Sequence, residues 1–224
     1  MVTLVLFVVM LICVAMCWNE GLWGNAITLV NVVLAAMIAT NYFEPLAGFF
    51  DRQMPSYTYL WDFVSIWLIF VVVMSLLRAI TDKLSKTKVR FKMPVEQTGR
   101  VLLALAVGYV VMSFAAMTLH MAPLGEHPFR GSFGRIEKGV LSDKAMPSYF
   151  LGLSPDRQWL ALMQTRSRAG GEGEFTGALS RWQLFGWKKR PFDPQSRFIF
   201  KYAARRQKLE EHNRETGAMR VRTE

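Results

Sequence analysis

MVTLVLFVVMLICVAMCWN, Met1 to Asn19, and GLWGNAITLVNVVLAAMIATNYF, Gly21 to Phe43, carry no Asp, Glu, Lys or Arg and are parted by the single charge of Glu20. A helix rising about 1.5 Å per residue needs roughly 20 apolar residues to cross the hydrocarbon core, so these runs predict two membrane helices joined as a hairpin. Two further charge-free runs follow, Phe63 to Leu77 and Val101 to Gly125, and the first of them lengthens to about Tyr57 if Asp62 is tolerated near its end. The expected fold is an all-α membrane protein. Four transmembrane helices, about 2–18, 26–42, 59–80 and 101–121, form a domain over residues 1–121, and residues 122–224 form a basic, partly helical extramembrane tail.

Charge divides the chain at the same place. Met1 to Met121 holds eight Lys and Arg against six Asp and Glu, net +2, whereas Ala122 to Glu224 holds nineteen against eleven, net +8. The high isoelectric point therefore belongs to the tail. A cleaved signal peptide would need a positive n-region and small residues at its cleavage site. No Lys or Arg precedes Arg52, and the first run ends Ala15-Met16-Cys17-Trp18, so this segment is expected to stay as a short first span.

The connections set the orientation. Seven of the eight basic residues of the membrane half lie between Arg78 and Arg100, in the loop before the fourth span. Short loops rich in Lys and Arg stay cytoplasmic. The Asn19–Asn25 turn is then also inside, and both termini are periplasmic. Lys83, Lys86, Lys88, Arg90, Lys92 and Arg100 are candidates for contact with anionic lipid headgroups, at about 1 kcal/mol each near the surface.

Several polar or small residues stand out inside or beside the spans. Gly21 and Gly24 allow close backbone approach in the turn, and Gly108 does so in span four. Asn25 and Asn31 need hydrogen-bond partners within the membrane, for which another helix is the expected source. Asp62 falls in the first turn of span three beside Tyr57, Tyr59 and Trp61, where an interfacial position avoids the cost of a central carboxylate. His120 ends span four as a polar cap. Cys13 and Cys17, one helical turn apart, read as packing residues.

In the tail, Ser154-Pro155-Asp156 has the signature of a helix start, with Trp159, Leu160, Leu162 and Met163 following at helical spacing. Asp193-Pro194 predicts a second start, leading through Phe198, Ile199, Tyr202 and Leu209. The glycines between Ala169 and Gly177 do not fit a phosphate-binding loop and read as a linker. From about His212 the chain reads as disordered. His120, His127 and His212 are scattered, and neither H-E-x-x-H nor G-x-S-x-G occurs. The expectation is a protein without enzymatic activity, cofactor or metal.

This arrangement resembles the colicin V production protein family. The matching stretch is about Val2 to Met121. Glu20-Gly21-Leu22-Trp23-Gly24-Asn25 corresponds to the family's turn between its first two spans, and Gly99-Arg100-Val101-Leu102 to the arginine that opens its fourth. The turn differs in lacking a basic residue, and span four has Gly108 alone where the family often has several glycines. The resemblance implies a bacterial inner-membrane protein tied to toxin production or export and to envelope homeostasis, and it supplies no reaction.

Three functions are compatible with this reading. The first is a scaffold whose partners are the lipid bilayer, membrane or periplasmic proteins, or further copies of the chain. The second is a small channel or transporter accessory, motivated by Asn25, Asn31, Asp62, Ser65, Ser113 and His120 in or near the spans. The third is a tethered nucleic-acid binder, for which the tail's charge and its Trp182, Trp187, Phe198 and Tyr202 argue. That function needs a cytoplasmic tail, so nucleic acid is not the expected partner.

Overall fold

The computed structural model describes residues 2–85, 93–124, 136–137, 140–141, 154–168 and 197–215. They form helices α1 (Val2–Cys17), α2 (Gly21–Gln53), α3 (Thr58–Leu84) and α4 (Met93–Leu119), then α5 (Pro155–Arg168) and α6 (Phe198–Glu215). A single 3-10 turn, Pro55–Tyr57, links α2 to α3. An antiparallel pairing of Ile136–Glu137 with Val140–Leu141 is the one strand pair among the described residues. Three helices are long and apolar enough to cross a membrane: α2, α3 taken with its 3-10 turn, and α4. The apolar α1, with 16 residues, is shorter.

The long helices are arranged in the spatial order α1, α4, α2, α3, each packed chiefly on its neighbours in that row. Contacts along the helices fix their directions. The Leu22 N–H donates to Glu96 and Asn25 Nδ2 to the Arg100 carbonyl, so α2 and α4 run parallel. Val2 and Leu6 cluster with Met112 and Ala116, while Cys17 clusters with Ala104, so α1 runs antiparallel to α4. The expected hairpin of the first two helices is corrected here. A tight turn at Trp18–Glu20 joins them, yet the main packing partner of α1 is α4. Helices α3 and α4 meet through side chains laid over the small residues Ala35, Ala36 and Ala39 of α2, with Phe70 stacked on Phe114 at 4.9 Å.

Glycine makes the α1–α4 contact possible. A Cβ on Gly108 would lie 3.1 Å from the Met10 carbonyl oxygen and 3.2 Å from Val14 Cγ2. The carbonyl belongs to a helix backbone and can yield only if α1 moves. Gly108→Leu is therefore expected to destabilise the bundle by about 1–3 kcal/mol, as overpacking does. A lower thermal unfolding midpoint in detergent, with a smaller drop for Gly108→Ala, would report it; an unchanged midpoint for the leucine variant would refute the contact.

Helix α2 continues past the expected end at Tyr42, through Pro45, to Gln53. Proline removes one rung of the ladder, but Ala47 is buried and Phe50 stacks on Trp61 of α3, so packing carries the helix onward. At about 50 Å, α2 exceeds the hydrocarbon thickness. Helix α4 begins before the expected Val101, with Pro94 in the first turn where its missing N–H costs nothing. Helix α6 begins at Phe198 and carries helix through His212 to Glu215, past the point expected to be disordered. Residues 191–196, with the Asp193-Pro194 start, and the 169–177 linker lie outside the described residues.

The tail helices have a further role that their amphipathic pattern did not disclose. Trp159, Leu160, Met163, Phe198 and Tyr202 share one core with α2, α3 and α4. They form a second layer over the row rather than a separate appendage.

Candidate functional site at the two ends of the bundle

Helix directions gather the polar side chains into two clusters. The first lies at the end that holds the Trp18–Glu20 turn and both limbs of the basic loop. Gly21 adopts a φ of 75°, a left-handed conformation natural to glycine, and this breaks α1 from α2. The break leaves the first N–H groups of α2 without helical acceptors. Glu96 of α4 accepts the one from Leu22 at 2.9 Å. Glu20 pairs with Arg78 of α3 and accepts from Thr28 at 3.0 Å, while Arg78 Nη1 donates to Thr28 at 3.2 Å. Asn31 Nδ2 donates to Thr81 at 3.0 Å. The network stitches α2 to α3 with its groups bonded to one another.

The second cluster lies at the opposite end, between the bundle and the tail. His120 and Asp156 are both buried, with Nε2 and Oδ2 2.9 Å apart. Arg206 Nη1 donates to the His120 carbonyl at 2.7 Å. Asp62 of α3 pairs with Arg205 of α6 and accepts from the Tyr202 hydroxyl at 3.0 Å. Lys201 meets Glu44 on the overhanging end of α2 at 2.8 Å. Trp159 Nε1 donates to Thr40 at 3.3 Å, its ring set edge-on to Phe114.

Burial governs the electrostatics of this joint. It holds the His120 imidazole below its ordinary range, and the charges of Arg206 and Arg157 push the same way, while Asp156 opposes them. Burial also brings the Arg206 guanidinium down to about 10. The Tyr202 hydroxyl is pushed well up, first by burial and then by the Asp62 charge. All three directions describe groups taken out of water by the docked tail.

The residues singled out from the sequence do not converge on one centre. Gly21, Gly24, Asn25, Asn31 and Arg100 gather at the turn end, where Lys83 lies exposed on the last turn of α3 and Arg100 sits over the Trp18 ring at 5.3 Å. Asp62 and His120 lie at the tail end, and Gly108 between the two against α1. His120 is buried in the tail joint rather than capping a helix at the interface. Lys86, Lys88, Arg90 and Lys92 fall outside the described residues. Sequence reading missed Glu20, Arg78 and Glu96 as partners, although Glu20 is the lone charge in the first 43 residues. It also did not disclose that Asp156, Tyr202, Arg205 and Arg206 pair with the bundle, since on the sequence they read as ordinary residues of an amphipathic helix. Among the described residues no three His, Cys, Asp or Glu side chains converge as metal ligands.

The family model of the colicin V production protein matches residues 2–133, more than half of the chain. The chain belongs to the colicin V production protein family. No curated protein and no solved structure matches it. The match covers all four helices of the row and ends before α5, so the tail helices that complete the core of this colicin V production family member lie outside it.

Proposed function

We propose that this colicin V production family member acts in the production or export of a colicin V-type toxin, as a non-enzymatic scaffold of the bacterial inner membrane with a broader part in envelope homeostasis. The observation that carries the reading is the joining of the tail helices to the bundle through a shared core and buried polar contacts. Such a joint gives the extramembrane side a fixed shape, which is what a scaffold offers a partner. A membrane or periplasmic protein, or a second copy of the chain, is the expected occupant of that surface.

In this reading α1 is the fourth span. Leu4, Ile12 and Met16 point outward from it, 69%, 55% and 74% exposed, as lipid-facing side chains would be. Its length of about 24 Å falls short of the hydrocarbon core, a mismatch that local thinning accommodates. The basic loop faces the cytoplasm, with Lys83 and the lysines that follow it drawing anionic lipid. The tail helices stand at the opposite, periplasmic end.

The test is accessibility. In a chain with Cys13→Ser and Cys17→Ser, a cysteine replacing the exposed Glu211 is expected to react with a membrane-impermeant maleimide in intact cells. Reaction only after permeabilisation would reverse the orientation and move the partner into the cytoplasm. Catalytic turnover by the purified protein, lost on changing one polar residue, would overturn the scaffold.

A further inference from the structure

Helix α5 does not lie flat across the end of the bundle. Asp156 meets His120 at the end of α4, while Trp159 rests on Phe114 and Gln158 bonds to Tyr109, well before His120 in the chain. Following α5 forward therefore follows α4 backward, and among the described elements α5 packs chiefly on α4. The exposure of α4 marks where this cover begins. Thr98, Leu102, Leu105 and Tyr109 share one helical face, and the first three are exposed, whereas every residue from Met112 to Thr118 is buried. At 1.5 Å per residue, the last turn of α5, which ends at Arg168, stands about 15–18 Å below the His120 contact, level with residues 108–110 of α4. That height is near the middle of the stretch 101–121 that crosses the membrane in the proposed reading.

The composition of α5 does not suit lipid at such a depth. The helix carries Asp156, Arg157, Arg166 and Arg168 within 14 residues. Arg157, Gln158, Ala161, Leu162 and Thr165 are exposed on its outward side. An arginine at the bilayer centre costs at least about 2.5–3.5 kcal/mol, a cost that local thinning and entry of water relieve.

We propose that α5 cuts a hydrated notch into the bilayer, drawing water and the phospholipid headgroups of one leaflet down beside α4 to about mid-span. The inference rests on the membrane placement given above and not on which side the tail occupies. Beyond the end of α5 the exposed face of α4 offers Leu105 and Leu102 before Thr98. That leaves an apolar path of about 15 Å, against roughly 30 Å of ordinary hydrocarbon core. This is a use beyond scaffolding, since the notch lowers the barrier to a polar segment that crosses the membrane beside α5.

Nitroxide labels report the notch directly. In the full chain with Cys13→Ser and Cys17→Ser, a single cysteine replaces Thr165 in one protein and Leu76 of α3 in another. Helix α3 runs antiparallel to α4 and its Phe70 stacks on Phe114, so Leu76, 58% exposed, stands at the same height as residues 108–110. In nanodiscs of phosphatidylethanolamine and phosphatidylglycerol, collisions with oxygen mark hydrocarbon and collisions with a water-soluble nickel chelate mark water. The Leu76 label is expected to meet oxygen more often than nickel, and the Thr165 label to meet nickel several-fold more often than the Leu76 label does. Arg166→Leu with Arg168→Leu should return the Thr165 label to the hydrocarbon pattern, with helix content by circular dichroism unchanged. Oxygen-dominated collisions at Thr165 in the parent chain overturn the notch, and so does shielding from both reagents, which marks a second copy seated on α5. Nickel access that survives in the folded leucine double variant overturns it too, because the arginines then do not draw the water. Nickel access at Leu76 as well as Thr165 overturns the membrane placement, and the notch with it, whereas oxygen at both positions leaves the placement standing and removes the notch alone.

Discussion

Trp159→Ala detaches α5 from the bundle and raises its susceptibility to protease about a hundredfold. Trp159 is 3% exposed, and its ring lies against Phe114 while its N–H reaches Thr40. Truncating a buried aromatic of this size costs about 3–5 kcal/mol, and each 1.4 kcal/mol is a tenfold change in population. Thr40 also donates to the Ala36 carbonyl at 2.7 Å, so the substitution leaves its hydroxyl bonded. The loss is chiefly one of packing. Trp159→Phe should accordingly retain most of the docking and lose about 1 kcal/mol, the usual net worth of a hydrogen bond. Trypsin cleavage after Arg157, followed in detergent at a fixed enzyme ratio, measures the open population when opening is fast. A cleavage rate for the alanine variant within threefold of the parent would show that α5 does not depend on this wedge.

Asp62→Ala is expected to weaken the docking of α6 by about 2 kcal/mol. The carboxylate side chain is 13% exposed and the Arg205 side chain 25% exposed, so the pair is largely but not fully removed from water. Breaking a buried pair by removing one partner costs about 3–5 kcal/mol, and the residual access of water to Arg205 reduces that figure. The Tyr202 hydroxyl loses its acceptor as well. Asp62→Asn, which keeps an acceptor, should lose less. The double variant Asp62→Leu with Arg205→Met removes both charges and should dock more firmly than Asp62→Ala. Protease accessibility of α6 measures all three. Equal rates for Asp62→Ala and the parent chain would mean that the pair is incidental.

The row of helices was legible because a charge-free run of membrane length is a strong signal: the backbone within lipid must bond to itself. Two limits of that signal are visible in particular residues. Pro45 marks a plausible helix end, but whether a helix stops there depends on what lies beyond, and the Phe50–Trp61 stack is a tertiary fact. The hairpin expectation followed from the shortness of the Trp18–Glu20 turn, which fixes where two helices begin and not which faces meet. Gly108, the one glycine of α4 beyond its opening turns, did carry the relevant information, since it marks where α1 lies.

The polar clusters were half legible. Asn25, Asn31, Asp62 and His120 stand out against apolar neighbours, and all four have partners. The partners of the last three, Thr81, Arg205 and Asp156, sit in stretches where charged and hydroxyl residues are common. Their pairing spans 36 to 143 positions of sequence, and no local pattern announces a contact of that range.

The order of the row has a consequence for how the protein is made. Helices α1 and α2 leave the ribosome in succession, but α4 must come to lie alongside both, and it follows α2 by some seventy residues. At a synthesis rate of about 5–20 residues per second, that delay is on the order of ten seconds. During this interval α1 waits with its side chains for Met112 and Ala116 unmatched, and the first two helices must not close on each other. The Gly21 break is suited to that requirement, because a left-handed residue between two helices lets them splay until the fourth arrives.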